Sequence, residues 1–278
     1  MTTFLSAVSR LFDGLFYPFR AASPWFPLVL LSFFAGVLML LVFRFTSNQS
    51  AIRRVKDRMQ AHLFEVRLFP DQLGVVLRAY GRILRWTLAY LGHALVPLAV
   101  MTVPLVLLLV QMDLRLGHEP LRPRSSFLLK ALAAGDASLE QASLRLPDGL
   151  VLTAPPLHIF HAPEKRQEVN WRLEAQRPGE FSVEVVVADK VFSKQVIVVE
   201  PGSNVRLSPA RVRPDWMELL LESSEPPLPP DSPLHHILVV YPHRNLSLGR
   251  WELHWLVPFF VFSLMAAFAM KGVFRTEF

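Results

Sequence analysis

Three long apolar stretches constrain this 278-residue chain more than any other feature of its sequence. They cover residues 24–43, 86–111 and 253–270, and each is close to the roughly twenty residues that a helix needs to cross about 30 Å of hydrocarbon. None of the three has a charged residue at its centre. The sequence therefore predicts three transmembrane helices.

Charge is distributed unevenly between these stretches, and the asymmetry predicts an orientation. Residues 44–85 contain nine basic and three acidic residues, a net charge of +6, whereas residues 112–251 contain sixteen basic and seventeen acidic ones. Basic loops beside membrane spans remain in the cytosol. We therefore expect residues 44–85 and the tail 271–278 in the cytosol, and the N-terminus and the large segment outside it. The expected location is a prokaryotic inner or plasma membrane.

The first 22 residues predict a helix that lies in the membrane interface. Their apolar side chains recur three and four residues apart, as in an amphipathic helix. Arg10, Asp13 and Arg20 interrupt the apolar core that a signal peptide would need. The chain has no cysteine, so neither disulfides nor thiol chemistry contribute.

Residues 44–85 predict a basic helical hairpin. Apolar residues from Ile52 to Val66 are spaced three and four apart, Pro70 ends this helix, and a second helix leads into the second span. The basic residues of its first helix are Arg53, Arg54, Lys56 and Arg58. The hairpin could pack on itself and lie against anionic lipid headgroups, or it could contact a ribosome. Few aromatic residues accompany the charges, so we expect no DNA partner.

The second span differs from the other two because prolines and polar residues interrupt it. Pro97 and Pro104 each remove a backbone hydrogen bond, and Thr102 and Gln111 add polar groups at different depths. A helix of this kind can line a cavity. The alternative is that neighbouring helices tolerate the prolines and that Thr102 bonds its own backbone.

The large outer segment predicts β structure. We expect a linker over residues 112–135, with a short helical run at 126–134, followed by a domain over residues 136–250. Val169–Ala175, Phe181–Ala188 and Val191–Val199 are successive candidate strands, and Trp171 is a candidate core residue. The expected fold class is a membrane α+β protein in which three spans carry an extracytosolic, Ig-like β-sandwich.

Catalytic motifs are scarce in this sequence. It has no phosphate-binding glycine loop and no nucleophile elbow. His158 and His161 lie three residues apart, with His235, His236 and His243 following, but this spacing lacks the helix and glutamate of a zinc protease motif. We expect neither an enzyme nor a metal or other cofactor.

The order of the predicted parts resembles a known family. A first span followed by a basic hairpin and a proline-containing second span resembles the layout of the YidC insertase superfamily. The residues that carry the likeness run from Ala51 to Gly117, through the hairpin into Ala94-Leu95-Val96-Pro97 and Val103-Pro104. That superfamily includes archaeal YidC-like proteins and the core insertase subunit of the ER membrane complex. The large β domain between the second and third spans departs from its usual layout.

The resemblance implies a function and candidate residues. The spans would enclose a hydrophilic groove through which polar segments of client membrane proteins enter or cross the bilayer. Arg44, Thr102 and Gln111 would face this groove or the client. The alternative is a membrane-anchored binding or assembly subunit, acting through its β domain within a larger membrane complex. The first hypothesis places the essential residues in the spans and the hairpin, and the second places them in residues 136–250.

Overall fold

A computed structural model describes residues 2–47, 49–69, 71–135, 137–161, 166–199, 203–221 and 225–274. Pro70 and residues 275–278, which belong to the predicted hairpin and cytosolic tail, lie outside this description. The chain divides into two compact units. The β unit comprises residues 1–28 and 108–255, and the helical unit comprises residues 29–107 and 256–278.

Within the described residues, three helices are long and apolar enough to cross a membrane. The helices that contribute to the helical unit are α2 (Trp25–Thr46), α3 (Gln49–Leu68), α4 (Leu73–Met112) and α6 (Leu256–Phe274). The sequence prediction of three such stretches, in α2, α4 and α6, is confirmed. The third helix begins at Leu256 and not at residue 253, because Trp251–His254 form a strand.

The helices α3 and α4 contact each other through side chains. Glu65 on α3 accepts a hydrogen bond from Arg82 on α4 (3.4 Å) and lies 3.0 Å from Nδ1 of His62. The hydrogen bond with His62, together with the charge of Arg82, holds the pKa of Glu65 below its ordinary value. The guanidinium of Arg58 lies 4.4 Å from the ring centre of Trp86. These contacts join the two predicted helices into a hairpin.

The β unit begins with a helix, α1 (Thr2–Phe16), and a 3₁₀ turn at Tyr17–Phe19. A π-helical turn at Asp113–Gly117 follows α4, and a short helix, α5 (Trp216–Leu221), lies between later strands. The strands are β1 (Ser126–Ala133), β2 (Ser143–Arg145), β3 (Leu150–Leu152), β4 (Leu157–His161), β5 (Arg166–Ala175), β6 (Gly179–Val187), β7 (Lys190–Val198), β8 (Ala210–Val212), β9 (Leu234–Val239), β10 (Asn245–Leu248) and β11 (Trp251–His254).

Among the described residues, all pairings between the named strands are antiparallel, and an isolated parallel bridge joins Leu121 to Val198. One sheet has the order β3-β5-β1-β9-β8, with β4 also paired to β5; a second has the order β2-β6-β7; and β10 pairs with β11. Alternate residues of the two larger sheets belong to one hydrophobic core, to which β5 contributes Trp171, β6 Val183 and β7 Val196. The three strands predicted at β5, β6 and β7 and the core position of Trp171, which is 2% exposed, are therefore confirmed.

The helical run predicted at residues 126–134 is wrong. These residues form β1, which pairs with both β5 and β9 near the centre of the larger sheet. Phe127, Leu129, Ala131 and Ala133 are buried at every second position. Leucine and alanine are among the strongest helix formers, but helix propensities differ by less than about 1 kcal/mol per residue. Strand pairing on both sides with burial of one face outweighs that preference. The β structure therefore begins inside the segment expected to be a linker.

Candidate functional site

The helical unit contains an apolar cleft of about 360 Å³ between α2, α4 and α6. Its lining residues are Ala35, Gly36, Met39, Leu40 and Phe43 on α2, Met101 and Leu105 on α4, and Phe259, Phe260, Ser263, Leu264, Ala267 and Phe268 on α6. Of these, Ser263 alone has a polar side chain, and its hydroxyl donates to the carbonyl of Phe260 (3.1 Å). The cleft therefore offers apolar surface to whatever occupies it.

A close approach of two helices forms one wall of the cleft. A Cβ atom added to Gly36 on α2 would lie 2.1 Å from the carbonyl oxygen of Ser263 and 3.1 Å from Cβ of Ala266, both on α6. Small residues let helix backbones approach closely in this way, as in the helix interfaces of membrane proteins. The absence of a side chain at Gly36 thus sets the spacing between α2 and α6.

Two of the residues implied by the family resemblance lie in the helical unit but outside the lining of the cleft. Arg44 is exposed in the last turn of α2. Thr102 is also exposed, and its hydroxyl donates to the carbonyl of Leu98, four residues earlier on α4 (2.9 Å). This hydrogen bond agrees with the alternative interpretation of the second span, in which Thr102 bonds its own backbone. Contact of either residue with a client stays a prediction.

The third such residue, Gln111, lies in the β unit in a buried polar cluster. Arg115 is 1% exposed and donates through Nη1 to the carbonyl (2.7 Å) and to Oε1 (3.0 Å) of Gln111. Through Nη2 it donates to the carbonyl of Ser9 (3.0 Å) and to Asp13 (2.5 Å). Asp13 also pairs with Arg206 (3.1 Å). Gln111 therefore belongs to the β unit, whereas Arg44 and Thr102 belong to the helical unit.

Sequence analysis did not identify Arg115 as part of a site. One local signal was present, because Arg115 follows Gln111 by four residues, the spacing of neighbours on a helix. Its pairing with Asp13, 102 positions away, has no signature in a single sequence.

The four basic residues predicted on the hairpin all lie on α3. Arg53, Arg54 and Arg58 are exposed and Lys56 is half-buried. Arg58 stacks on Trp86, so its stem is held against α4 while its charge remains at the surface. These side chains form the basic surface of the hairpin.

The histidines form no metal site within the part of the chain that the structure describes. His118 and His243 have ring centres 5.0 Å apart and lie on an isolated β-bridge. Asp113 lies nearby and accepts a hydrogen bond from the indole of Trp255 (3.2 Å). Burial lowers the pKa of His118 below its ordinary value of 6.5, and the charge of His243 lowers it further, while Asp113 opposes the shift.

This lowered pKa predicts that acid destabilises the β unit. Unfolded, His118 takes up a proton as pH falls through 6.5, whereas folded it resists protonation, so stability present above pH 6.5 is lost below it. Burial lowers the pKa of His236 in the same direction. We expect the thermal unfolding temperature of the full chain in detergent to decrease as the pH is lowered from about 7.5 to about 5.5. His118→Asn should reduce this dependence and exposed His158→Asn should not; equal slopes would contradict the assignment.

No protein-family model matches the chain, and neither the curated proteins nor the solved structures gave a match.

Proposed function

We propose that this chain is an integral membrane protein that acts as an insertase or intramembrane chaperone for other membrane proteins. In this proposal α2, α4 and α6 cross the bilayer, the basic hairpin and the C-terminal tail lie in the cytosol, and the two packed sheets form an extracytosolic β-sandwich. The net charge of +6 in residues 44–85 supports the orientation, because basic loops remain cytosolic. The membrane would be a prokaryotic inner or plasma membrane.

The apolar cleft is the observation on which the function depends. The family resemblance implies a hydrophilic groove, but the lining of this cleft suits an apolar transmembrane helix of a client better than a polar segment. Met39, Met101 and several phenylalanines line it. Unbranched, polarisable methionine side chains adapt to differing shapes, so such a surface can accept helices of different sequence.

The exposed apolar surface of the spans also favours this role. In the most apolar 18-residue windows of the three helices, 39%, 12% and 17% of the residues are buried. Lipid tails are as apolar as leucine, so association in the bilayer depends on shape and dispersion contacts. The three helices bury little of their surface against one another, and the surface between them is concave. A client helix can therefore make more dispersion contacts with this surface than with lipid. We therefore assign the cleft to a client helix in transit.

Site-specific photocrosslinking in native membranes tests this assignment. Probes replace Leu264 in the cleft and Phe34 outside it, and these two side chains are equally exposed at 58%. We expect crosslinks from position 264 to newly synthesised membrane proteins and few from position 34. Equal yields at the two positions would show ordinary lipid-facing surface and contradict the proposal. Crosslinks confined to a further probe at Val191 in the β unit would support the assembly-subunit alternative.

Neutralising the basic hairpin surface should reduce client crosslinking at position 264. We propose that this surface holds the hairpin against anionic headgroups, each basic residue contributing about 1 kcal/mol. In the triple variant Arg53→Gln, Arg54→Gln and Lys56→Gln, the yield of client crosslinks at position 264 should fall. The difference in yield between this variant and wild type should become smaller at high salt. The matched control neutralises Arg122, Arg145 and Arg177, which are exposed in the β unit. An equal loss in the control would remove the hairpin from the mechanism.

A further inference from the structure

The β unit contains a polar pocket of about 250 Å³ that the proposed function does not use. It lies where the turn after α1, the π-helical turn after α4, the strands β6 and β7 and the segment 203–208 meet. Charged residues of both signs line it: Arg20, Arg115 and Arg206, with Asp13 and Glu180. A pocket with this lining suits a ligand that is itself charged.

The walls of the pocket are held in place by buried hydrogen bonds. Asn204 donates through Nδ2 to the carbonyls of Phe19 (2.8 Å) and Ala22 (3.0 Å), and its own amide oxygen accepts from Arg244 (2.6 Å). Both Nη atoms of Arg115 donate hydrogen bonds to protein groups, one of them to the carboxylate of Asp13. That carboxylate also forms an ion pair with Arg206, so Arg115 and Asp13 together hold Arg206 in position. Such preorganisation lowers the ordering cost of binding.

Arg115 itself indicates a built site and not a chance surface hollow. It is 1% exposed, and its Nε has no hydrogen-bond partner among the described residues. It lies in a π-helical turn, a feature that often occurs at functional sites. A buried guanidinium with an unused donor is costly, so its presence at this pocket requires a reason.

The position of the pocket along the chain suggests where its ligand comes from. The apolar helix α4 ends at Met112, directly before the π-helical turn. Leu11 and Leu15 of α1 and Tyr17 of the 3₁₀ turn after it are exposed. In the membrane placement proposed above, the end of an apolar span and the exposed apolar face of an amphipathic helix both lie at headgroup depth. Phospholipid headgroups are then the charged groups nearest to the pocket.

We propose that this pocket binds the headgroup of a zwitterionic phospholipid. Arg20 and Arg206 receive the phosphate, because guanidinium groups donate paired hydrogen bonds to phosphate oxygens. Glu180, which makes no ion pair within the described residues, receives the headgroup ammonium. The inference depends on the membrane placement but not on the client-binding cleft.

Lipid retention by the purified full chain tests the pocket. After exchange into mixed micelles of phosphatidylethanolamine and phosphatidylglycerol, native mass spectrometry measures each bound lipid. We expect wild type to retain phosphatidylethanolamine preferentially, and Arg206→Gln to reduce retention about tenfold, as for loss of a charge-assisted hydrogen bond. Glu180→Gln should shift preference towards phosphatidylglycerol. Arg145→Gln, at an exposed arginine 4.0 Å from Glu184, is the matched control and should retain wild-type binding.

Other outcomes separate the possible sources of the phosphate. Competition by soluble phosphoethanolamine only at much higher concentration than lipid supports a headgroup site. Displacement of the lipid by low concentrations of inorganic phosphate would make this a free-phosphate site and overturn the proposal. Unchanged retention in both Arg206→Gln and Arg20→Gln would also overturn it, and Arg20 is exposed, so that second variant does not depend on a buried contact.

Discussion

The Arg115→Met variant should lose about 3 kcal/mol of the stability of the β unit, near the lower end of the range for breaking a buried ion pair. Methionine fills much of the volume but provides no donors for Gln111 or for the carbonyl of Ser9, and both would remain buried without their partner. The loss is not larger because Asp13 is 33% exposed and keeps its pairing with Arg206. Thermal and denaturant unfolding of the full chain in detergent measure the change.

A double-mutant cycle distinguishes this ion pair from simple loss of packing. Asp13→Leu alone should be costly because it leaves the Arg115 charge buried with its nearest counter-charge removed. The combination with Arg115→Met should destabilise less than the two single changes added together. Arg145→Met, at a side chain that is 69% exposed, should change stability by less than about 0.5 kcal/mol. Additive effects of the Arg115 and Asp13 substitutions would contradict the coupling.

The predictable and unpredictable parts of this cluster differ in physical origin. The apolar length of α4 was evident in the sequence because about twenty consecutive apolar residues suit a membrane. Arg115 lies four residues beyond that stretch and is buried by groups from α1, so its environment depends on contacts between distant segments. A single sequence records periodicity but not which distant segments meet.

The strands show the same distinction. Strands β6 and β7 alternate clearly between buried and exposed residues and were found with bounds within two residues of those observed. Strand β1 reads Ser-Phe-Leu-Leu-Lys-Ala-Leu-Ala, in which leucine and alanine obscure the alternation. Its strand conformation depends on β5 and β9, which lie 40 and about 100 positions later. Likewise, α6 begins three residues after the predicted start of the third span because Trp251–His254 pair with β10.

The cleft was predicted only in outline. Three apolar spans and a proline-containing helix suggested a cavity, and the family resemblance implied that it would be hydrophilic. Its apolar lining depends on which faces of α2, α4 and α6 turn towards one another, and α2 and α6 are apolar around their whole circumference. Without an amphipathic stripe, the sequence gives no indication of the inward face.

Gly36→Leu should lower the free energy of unfolding of the helical unit by about 3 kcal/mol, at the upper end of the usual cost of overpacking. The first added atom would lie 2.1 Å from a backbone oxygen, which cannot rotate away as a side chain could, so α2 and α6 must separate. Because Gly36 also lines the cleft, the leucine side chain would occupy the space assigned to a client helix. Unfolding in detergent and crosslinking from position 264 should therefore both change.

Gly92→Leu in α4 is the matched control for this variant. A Cβ atom there meets nothing within 4 Å, and leucine favours a helix over glycine by up to about 1 kcal/mol, so stability should be unchanged or slightly higher. Client crosslinking from position 264 should persist in this control and disappear in Gly36→Leu. If Gly36→Leu lost stability but kept full crosslinking, the close approach of α2 and α6 would be structural only, and the cleft would not be where clients bind.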